Sequence, residues 1–269
     1  MLPVIELFTS IQGEGKYMGV PSHFIRVSGC NLRCIFKDSI CDTPYASFDP
    51  EKSPYPNMEA LVSAFHQLQE QHPQVKHVVI TGGEPLLYKK ELETFLSMIY
   101  EEDMVITIET NGTKPMLNPL SGKFKVSLYS VSPKLSTSVG TPGTIDGREI
   151  TQEMIDRHEN TRINIPVLSD IATSNIDYQF KFVYSGRDCV SEIKNIYSRM
   201  ASHIEKRGYW DYELFRKNHP NKHTMLMPEG IHSSQLDKNG EEIANICVEQ
   251  GWTYTDRLQI RIWDDKRGV

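Results

Sequence analysis

The chain has 269 residues, with 29 Lys and Arg against 35 Asp and Glu for a formal net charge of -6. That length buries a substantial core without staples, and an acidic balance with no Lys/Arg block argues against an obligate nucleic-acid binder. No apolar run approaches a membrane span, and Glu6 interrupts the first apolar residues, so the expectation is a soluble cytoplasmic protein with a small-molecule partner and no nucleic-acid or membrane partner.

Strand-like and helix-like runs alternate, the pattern of an α/β parallel sheet. His23 to Ser28 reads as the first core strand and leads directly into Cys30, Cys34 and Cys41. Met58, Leu61, Val62, Phe65 and Leu68 fall at helical spacing, which predicts a helix from about Met58 to Gln71, ended by Pro73. Val78 to Thr81 reads as a short buried strand, followed by a Gly-Gly turn and a helix from about Lys90 to Tyr100. Val105 to Thr110 is the next strand, closed by the turn signal Asn111-Gly112. Phe124 to Val131, Ile163 to Val167, Phe180 to Tyr184 and Met225 to Met227 continue the strand series. Helices are expected near Ser191 to Ile204 and Gln235 to Gln250, and a last strand at Leu258 to Trp263. Three segments read as loops or insertions: Asp42 to Asn57 with its four prolines, the Ser/Thr/Gly-rich Ser136 to Gly147, and Lys206 to His223. The cysteines, Thr81-Gly82-Gly83-Glu84-Pro85, Glu109-Thr110-Asn111-Gly112-Thr113 and Ser132-Pro133-Lys134 all follow predicted strands, where an α/β sheet builds its site.

Three local thiolates hold three irons of a 4Fe-4S cube and leave the fourth open to a small molecule, which points to an iron-sulfur enzyme that cleaves S-adenosylmethionine into a radical. Structural zinc asks for four ligands in paired short spacings such as C-x2-C, and neither a C-x2-C pair nor a closely spaced second pair occurs. Five cysteines, an odd number, argue against a disulfide framework. Cys247 reads as a buried apolar thiol beside Ile243 and Ile246, Cys189 has no assigned part, and the nine histidines form no metal-ligand pair. Gly82-Gly83 alone would be an ordinary tight turn. Downstream of the cysteines, glycine carbonyls with Glu84 suit the ammonium of a methionine moiety. Ser132 offers a hydroxyl to a ribose and Lys134 a charge to a carboxylate. Gln12 supplies donor and acceptor together, and Glu14 accepts N-H bonds from a guanidine-like ring edge. Arg26 points to the opposite strand face from Ile25 and Val27, where an arginine is most often exposed or paired with an acid.

The order of these motifs, from Ile11-Gln12-Gly13-Glu14-Gly15 through Phe24-Ile25-Arg26, Gly29-Cys30-Asn31-Leu32-Arg33-Cys34, Cys41-Asp42-Thr43, Thr81 to Pro85, Glu109 to Thr113 and Ser132-Pro133-Lys134, resembles the radical S-adenosylmethionine superfamily and, within it, the 7-carboxy-7-deazaguanine synthases. The resemblance implies an incomplete (β/α) barrel with loop insertions, as one domain over residues 1–269: a core over about 20–230 and a C-terminal helix and strand over about 233–264. It implies a lyase that contracts 6-carboxy-5,6,7,8-tetrahydropterin to 7-carboxy-7-deazaguanine with release of ammonia, the radical being supplied by the cofactor and not by a catalytic side chain. Cys30, Cys34 and Cys41 are the implied cluster ligands, and Thr43 the Mg2+ ligand. Ile40, Cys41, Asp42, Gly83, Glu84, Glu109, Ser132, Pro133 and Lys134 are implied for S-adenosylmethionine, and Ile11, Gln12, Gly13, Glu14, Arg26, Thr81 and Pro228 for substrate. An electron donor such as flavodoxin and a homodimer are also implied. One departure stands out: the family usually has two residues between the second and third cysteines, with an aromatic before the third, whereas this chain has six, Ile35 to Ile40. Lengthening a loop costs little closure entropy, so the departure bears on adenine packing and not on Cys41 as a ligand. Two other readings are a glycyl-radical activase, which shares the cluster motif but acts on a protein, and a non-catalytic metal-binding redox module.

Overall fold

A computed structural model describes residues 1–36, 39–117 and 123–269. The apolar runs become neighbouring strands of one eight-stranded sheet, since residues buried on both faces need cover on both sides. In chain order the strands are β1 (Val4–Ile11), β2 (Pro21–Val27), β3 (Ile35–Phe36), β4 (Ser39–Ile40), β5 (His77–Gly82), β6 (Val105–Thr110), β7 (Val126–Val131), β8 (Gly143–Ile145), β9 (Arg148–Ile150), β10 (Asp177–Tyr184), β11 (Thr224–Pro228) and β12 (Thr253–Tyr254). The main sheet runs β1-β2-β5-β6-β7-β10-β11-β12; β1 lies antiparallel to β2 and every later pairing is parallel. Among the described residues β1 and β12 do not pair, so the sheet stays open and the barrel is incomplete.

The helices are α1 (Pro44–Ser47), α2 (Met58–Gln71), α3 (Lys89–Ile99), α4 (Gln152–Thr161), α5 (Ile165–Ala172), α6 (Asp188–Glu205), α7 (Tyr209–Lys217), α8 (Ser233–Leu236), α9 (Gly240–Gln250) and α10 (Leu258–Trp263). The Asn57 side chain caps α2 by accepting from the Ala60 amide, and Leu61 and Phe65 face the core. Phe65 meets Phe95 of α3 edge-on at 6.1 Å, a contact within one hydrophobic cluster that extends from Leu2 to Trp252. Burying each such ring contributes about 1.5–3 kcal/mol. His77 ties three strands together: its Nδ1 meets Ser22 Oγ and its Nε2 meets Thr107 Oγ1, each at 2.8 Å.

Several sequence expectations are corrected. Ile163 to Val167, expected as a strand, leads into α5, because Asn164 caps the Val167 amide and Pro166 occupies the first turn, where its missing N-H costs nothing. Leu258 to Trp263, also expected as a strand, is α10. Its alternating Leu258, Ile260 and Ile262 mimic strand periodicity, but Ile260 is buried while Ile262 is exposed, and the backbone closes helical bonds from Arg261 to Arg257 and from Asp264 to Ile260. The expected helix from Gln235 to Gln250 is broken by a 3-10 turn over Asp237–Asn239 before Gly240. The segment 206–223 contains α7, 42–57 contains α1, and 136–147 contains a 3-10 turn and strand β8 of a hairpin with β9. The edge strand β1 has no counterpart among the sequence expectations, its residues beyond Ile5 being only partly buried.

Candidate active site

Alternate residues along a strand share one face, and on one face of this sheet Phe24 and Arg26 of β2, Thr81 of β5, Glu109 of β6, Ser130 of β7, and Lys181 and Val183 of β10 line a cavity of about 410 Å³. Cys30, Cys34 and Cys41 line the same cavity, as do Ile11 to Glu14, Ile40 to Thr43, Gly83, Ser132 and Lys134. Most of the residues singled out from sequence therefore meet there. Glu84, Pro133 and Pro228 are buried without lining it.

The cysteine loop is held from beneath by the Gly-Gly turn. The Gly83 amide donates to the Val27 carbonyl at 3.0 Å and the Glu84 amide to the Gly29 carbonyl at 2.9 Å. A Cβ on Gly83 would fall 2.0 Å from that Gly29 oxygen, so the two loops approach too closely for any side chain. The Glu84 carboxylate is engaged inward, accepting from the Leu86 and Asn111 amides at 3.0 and 2.7 Å and from Thr110 Oγ1 at 2.8 Å. Its position makes it a latch between the ends of β5 and β6, bonded to Thr110 and Asn111, which line the cavity.

The lengthened stretch between Cys34 and Cys41 forms a ribbon. Ile35 pairs with Ile40 and Phe36 with Ser39, while the Cys41 amide donates to the Cys34 carbonyl at 3.0 Å; Lys37 and Asp38 lie outside the described residues. Ile35 and Ile40 pack against Ile150 and Ile155 in a second apolar cluster, and a Cβ on Gly140 would strike Ile35. Apolar burial thus fixes the insertion and draws the second and third cysteines together. Buried His158 supports the loop further, accepting from the Arg33 amide at 3.2 Å while its other ring nitrogen meets Ser138 Oγ at 2.9 Å.

Burial pushes the Cys30 thiol up to about 11 and raises Cys34 and Cys41 as well, with Lys134 opposing each shift. Such thiols stay protonated unless a metal displaces their protons. Among the described residues no three His, Cys, Asp or Glu side chains are gathered for a single metal ion; thiolates on separate corners of a cube need no such clustering. Three thiols on one cavity, with Lys134 beside them, fit a cluster held by three ligands. Thr43 Oγ1 lies 3.4 Å from Cys41 Sγ and 3.2 Å from Asp42 Oδ1.

The deep wall is highly charged. Lys181 is buried on β10 and donates to Glu14 Oε2. Arg257 Nε and Gln259 Nε2 donate to Glu14 Oε1 at 3.0 and 2.9 Å. Burial alone would raise the Glu14 carboxyl, but Lys181 and Arg257 outweigh it and hold the group well below the usual carboxylate range. Glu109 accepts from Thr81 Oγ1 at 2.7 Å and from Gln12 Nε2 at 3.2 Å, while Ser132 and Lys134 on the same cavity bond each other at 2.8 Å. Arg26 lines the cavity with its Nε 2.5 Å from Glu6 Oε2, the acid pairing that a strand arginine usually finds. Lys181, Arg257 and Gln259 are the residues sequence reading missed. Lys181 carried one faint signal, a charge inside the apolar run Phe180 to Tyr184.

The radical SAM superfamily model matches residues 24–134, the stretch from β2 to Lys134. A 7-carboxy-7-deazaguanine synthase of Halobacterium salinarum is 34% identical over 267 residues, covering 98% of this chain and 91% of the relative. The chain belongs to the 7-carboxy-7-deazaguanine synthase family. The synthase of Rhodopirellula baltica is likewise 34% identical over 268 residues, 100% of this chain and 89% of its own. The crystal structure of QueE from Escherichia coli superposes with a TM-score of 0.57 at 20% identity, covering 96% of this chain and 94% of that one, and so shares the fold. Membership in this radical SAM family implies a 4Fe-4S cluster and S-adenosylmethionine as cofactors.

Proposed function

We propose that the chain acts as a 7-carboxy-7-deazaguanine synthase, contracting 6-carboxy-5,6,7,8-tetrahydropterin with loss of ammonia. The observation that carries the reading is the union, in one cavity, of three thiols with a deep wall built on Glu14. A carboxylate has about four acceptor positions. Three donors already reach Glu14, which leaves room for an N-H of the pterin's guanidine-like edge. Because Lys181 and Arg257 keep Glu14 ionised, it accepts and never donates. Gln12, held by Glu109, offers its amide to the same ring, and Thr81 marks the adjoining wall. Arg26, steadied by Glu6, is assigned to the substrate carboxylate, where a planar guanidinium binds in a fork.

Cys30, Cys34 and Cys41 would hold the cluster, and Ser132, Lys134 and the Gly82-Gly83 carbonyls the S-adenosylmethionine; together these cofactors supply the radical chemistry. The chain's own part is to orient the pterin and keep water away. We also assign Thr43 to Mg2+, supported by its hydroxyl lying next to Asp42 and Cys41; a hard oxygen donor suits that ion. The family resemblance further suggests a flavodoxin-like donor, a homodimer and a cytoplasmic setting. Among the described residues no helix is long and apolar enough to cross a membrane.

Anaerobically reconstituted protein given the carboxypterin, S-adenosylmethionine, Mg2+ and a reductant is expected to release 7-carboxy-7-deazaguanine and ammonia. A protein that ignores the carboxypterin and instead installs a radical on a partner protein would be an activase, and the synthase reading would fail.

A further inference from the structure

We propose that Arg257 is a positioning residue that ties the cysteine loop to the carboxylate that recognises the pterin; the inference rests on that reading of Glu14. Arg257 follows β12 and precedes α10, outside every glycine or cysteine motif. Its side chain is buried, and all three guanidinium nitrogens are engaged. Nε donates to Glu14 Oε1 at 3.0 Å, Nη2 to Asp42 Oδ2 at 2.5 Å, and Nη1 to the Gly230 carbonyl at 2.5 Å.

One rigid plane therefore joins three segments that are remote in sequence. Asp42 sits between Cys41 and Thr43, so a group fixed on Asp42 is fixed relative to the third cysteine. Glu14 is the far end of the same bridge. Two carboxylates brought this close would repel, and the shared guanidinium compensates both. Because its nitrogens are coplanar, displacing one carboxylate moves the donor offered to the other. The bridge thus makes engagement of the pterin felt at the cysteine loop. A lysine carries its three donors on one nitrogen and cannot reproduce the fixed in-plane spacing between Nε and Nη2 that serves the two carboxylates. An arginine that merely stabilised the fold would alter melting temperature and cluster content, but neither substrate affinity nor the response of the cluster to substrate.

The test uses reconstituted holoprotein, measuring carboxypterin affinity by equilibrium dialysis and the electron paramagnetic resonance spectrum of the reduced cluster, with S-adenosylmethionine bound, before and after carboxypterin is added. In the parent, adding the pterin is expected to change the spectrum. In Arg257→Gln the dissociation constant should rise at least about tenfold, the cost of a buried carboxylate stripped of its partner, and at saturating pterin the spectral change should vanish. Arg257→Lys should keep one of the two properties at most, and it carries the test alone if Arg257→Gln does not fold. The inference is overturned if the parent spectrum ignores bound pterin, or if Arg257→Lys keeps both parental affinity and parental response. A parent that fails to bind the carboxypterin at all removes the synthase reading, and this inference with it, and is distinguishable because Arg257 has not then been varied.

Discussion

Residues 24–134 and residues 177–269 contribute to the same cavity in different ways. The first stretch offers loops that follow strand ends, each a short run whose chemistry is written in consecutive residues: Cys30 to Cys41, Thr81 to Pro85, Glu109 to Thr113, Ser132 to Lys134. The second offers isolated side chains, Lys181 on β10 and Arg257 and Gln259 at the start of α10, that reach Glu14. Backbone must approach closely where the cysteine loop meets Gly82-Gly83, and that requirement leaves a pattern of glycines. A buried ion pair requires only that two side chains meet in space, and leaves no local pattern. Under the proposed assignment, cofactor handling falls to contiguous motifs, while the carboxylate assigned to the pterin is held by tertiary pairing.

The comparison breaks most sharply at the cysteines. Cys30→Ala, Cys34→Ala and Cys41→Ala are each expected to abolish cluster absorbance and turnover, whereas Cys189→Ala and Cys247→Ala, buried under the helices of the second stretch, should keep both. Iron content with visible absorbance decides it; a full cluster in Cys41→Ala would reassign the ligand set.

The second stretch is probed by Lys181→Met. Removing one partner of a buried pair strands the other, and the structure predicts a loss on the order of 3 kcal/mol in folding stability, read by chemical denaturation of the unreconstituted chain. A variant as stable as the parent would mean that Lys181 is dispensable to the deep wall. Thr43→Ala sharpens the boundary between the two regions: it should leave cluster assembly intact while raising the Mg2+ concentration needed for half-maximal turnover, and an unchanged Mg2+ titration would take Thr43 out of the site.

Legibility followed the same division. The parallel strands β2, β5, β6 and β7 are readable because each carries a short run of buried apolar residues and runs into a loop motif or turn signal. Most of the cavity's loop residues came with them. The edge strand β1 was not, since it is only partly buried and lacks a continuous apolar run. Helix α10 looks like a strand in sequence because three alternating apolar residues do not distinguish a short helix from an edge strand. The ribbon between Cys34 and Cys41 was legible as extra length but not as structure, because its anchors, Ile150 and Ile155, lie over a hundred residues away. The neighbours of Glu84 suggest a partner for the methionine ammonium, but its four hydrogen bonds to Leu86, Thr110 and Asn111 are not visible until β5 and β6 lie side by side.

A smaller effect concerns pH. Burial pushes His77 down to about 4, and His23 and His158 to about 4 as well. Each is neutral in the fold and must take up a proton more readily once unfolded, where its value is near 6.5. Their contribution to stability is therefore complete above about pH 6.5 and is lost as pH falls toward 4. Melting temperature should decline across that window, and His77→Gln, which retains polar groups toward Ser22 and Thr107, should flatten part of the decline. An identical slope in the variant would remove His77 from the account.

The division of labour itself is tested by Glu14→Gln in reconstituted protein, following two products at once: 7-carboxy-7-deazaguanine, and the 5'-deoxyadenosine released with dithionite in the absence of pterin. Carboxypterin conversion should fall at least about tenfold while uncoupled S-adenosylmethionine cleavage stays within about twofold of the parent. If both fall together, or if conversion is unchanged, Glu14 does not read the pterin and the separation of cofactor handling from substrate recognition is wrong.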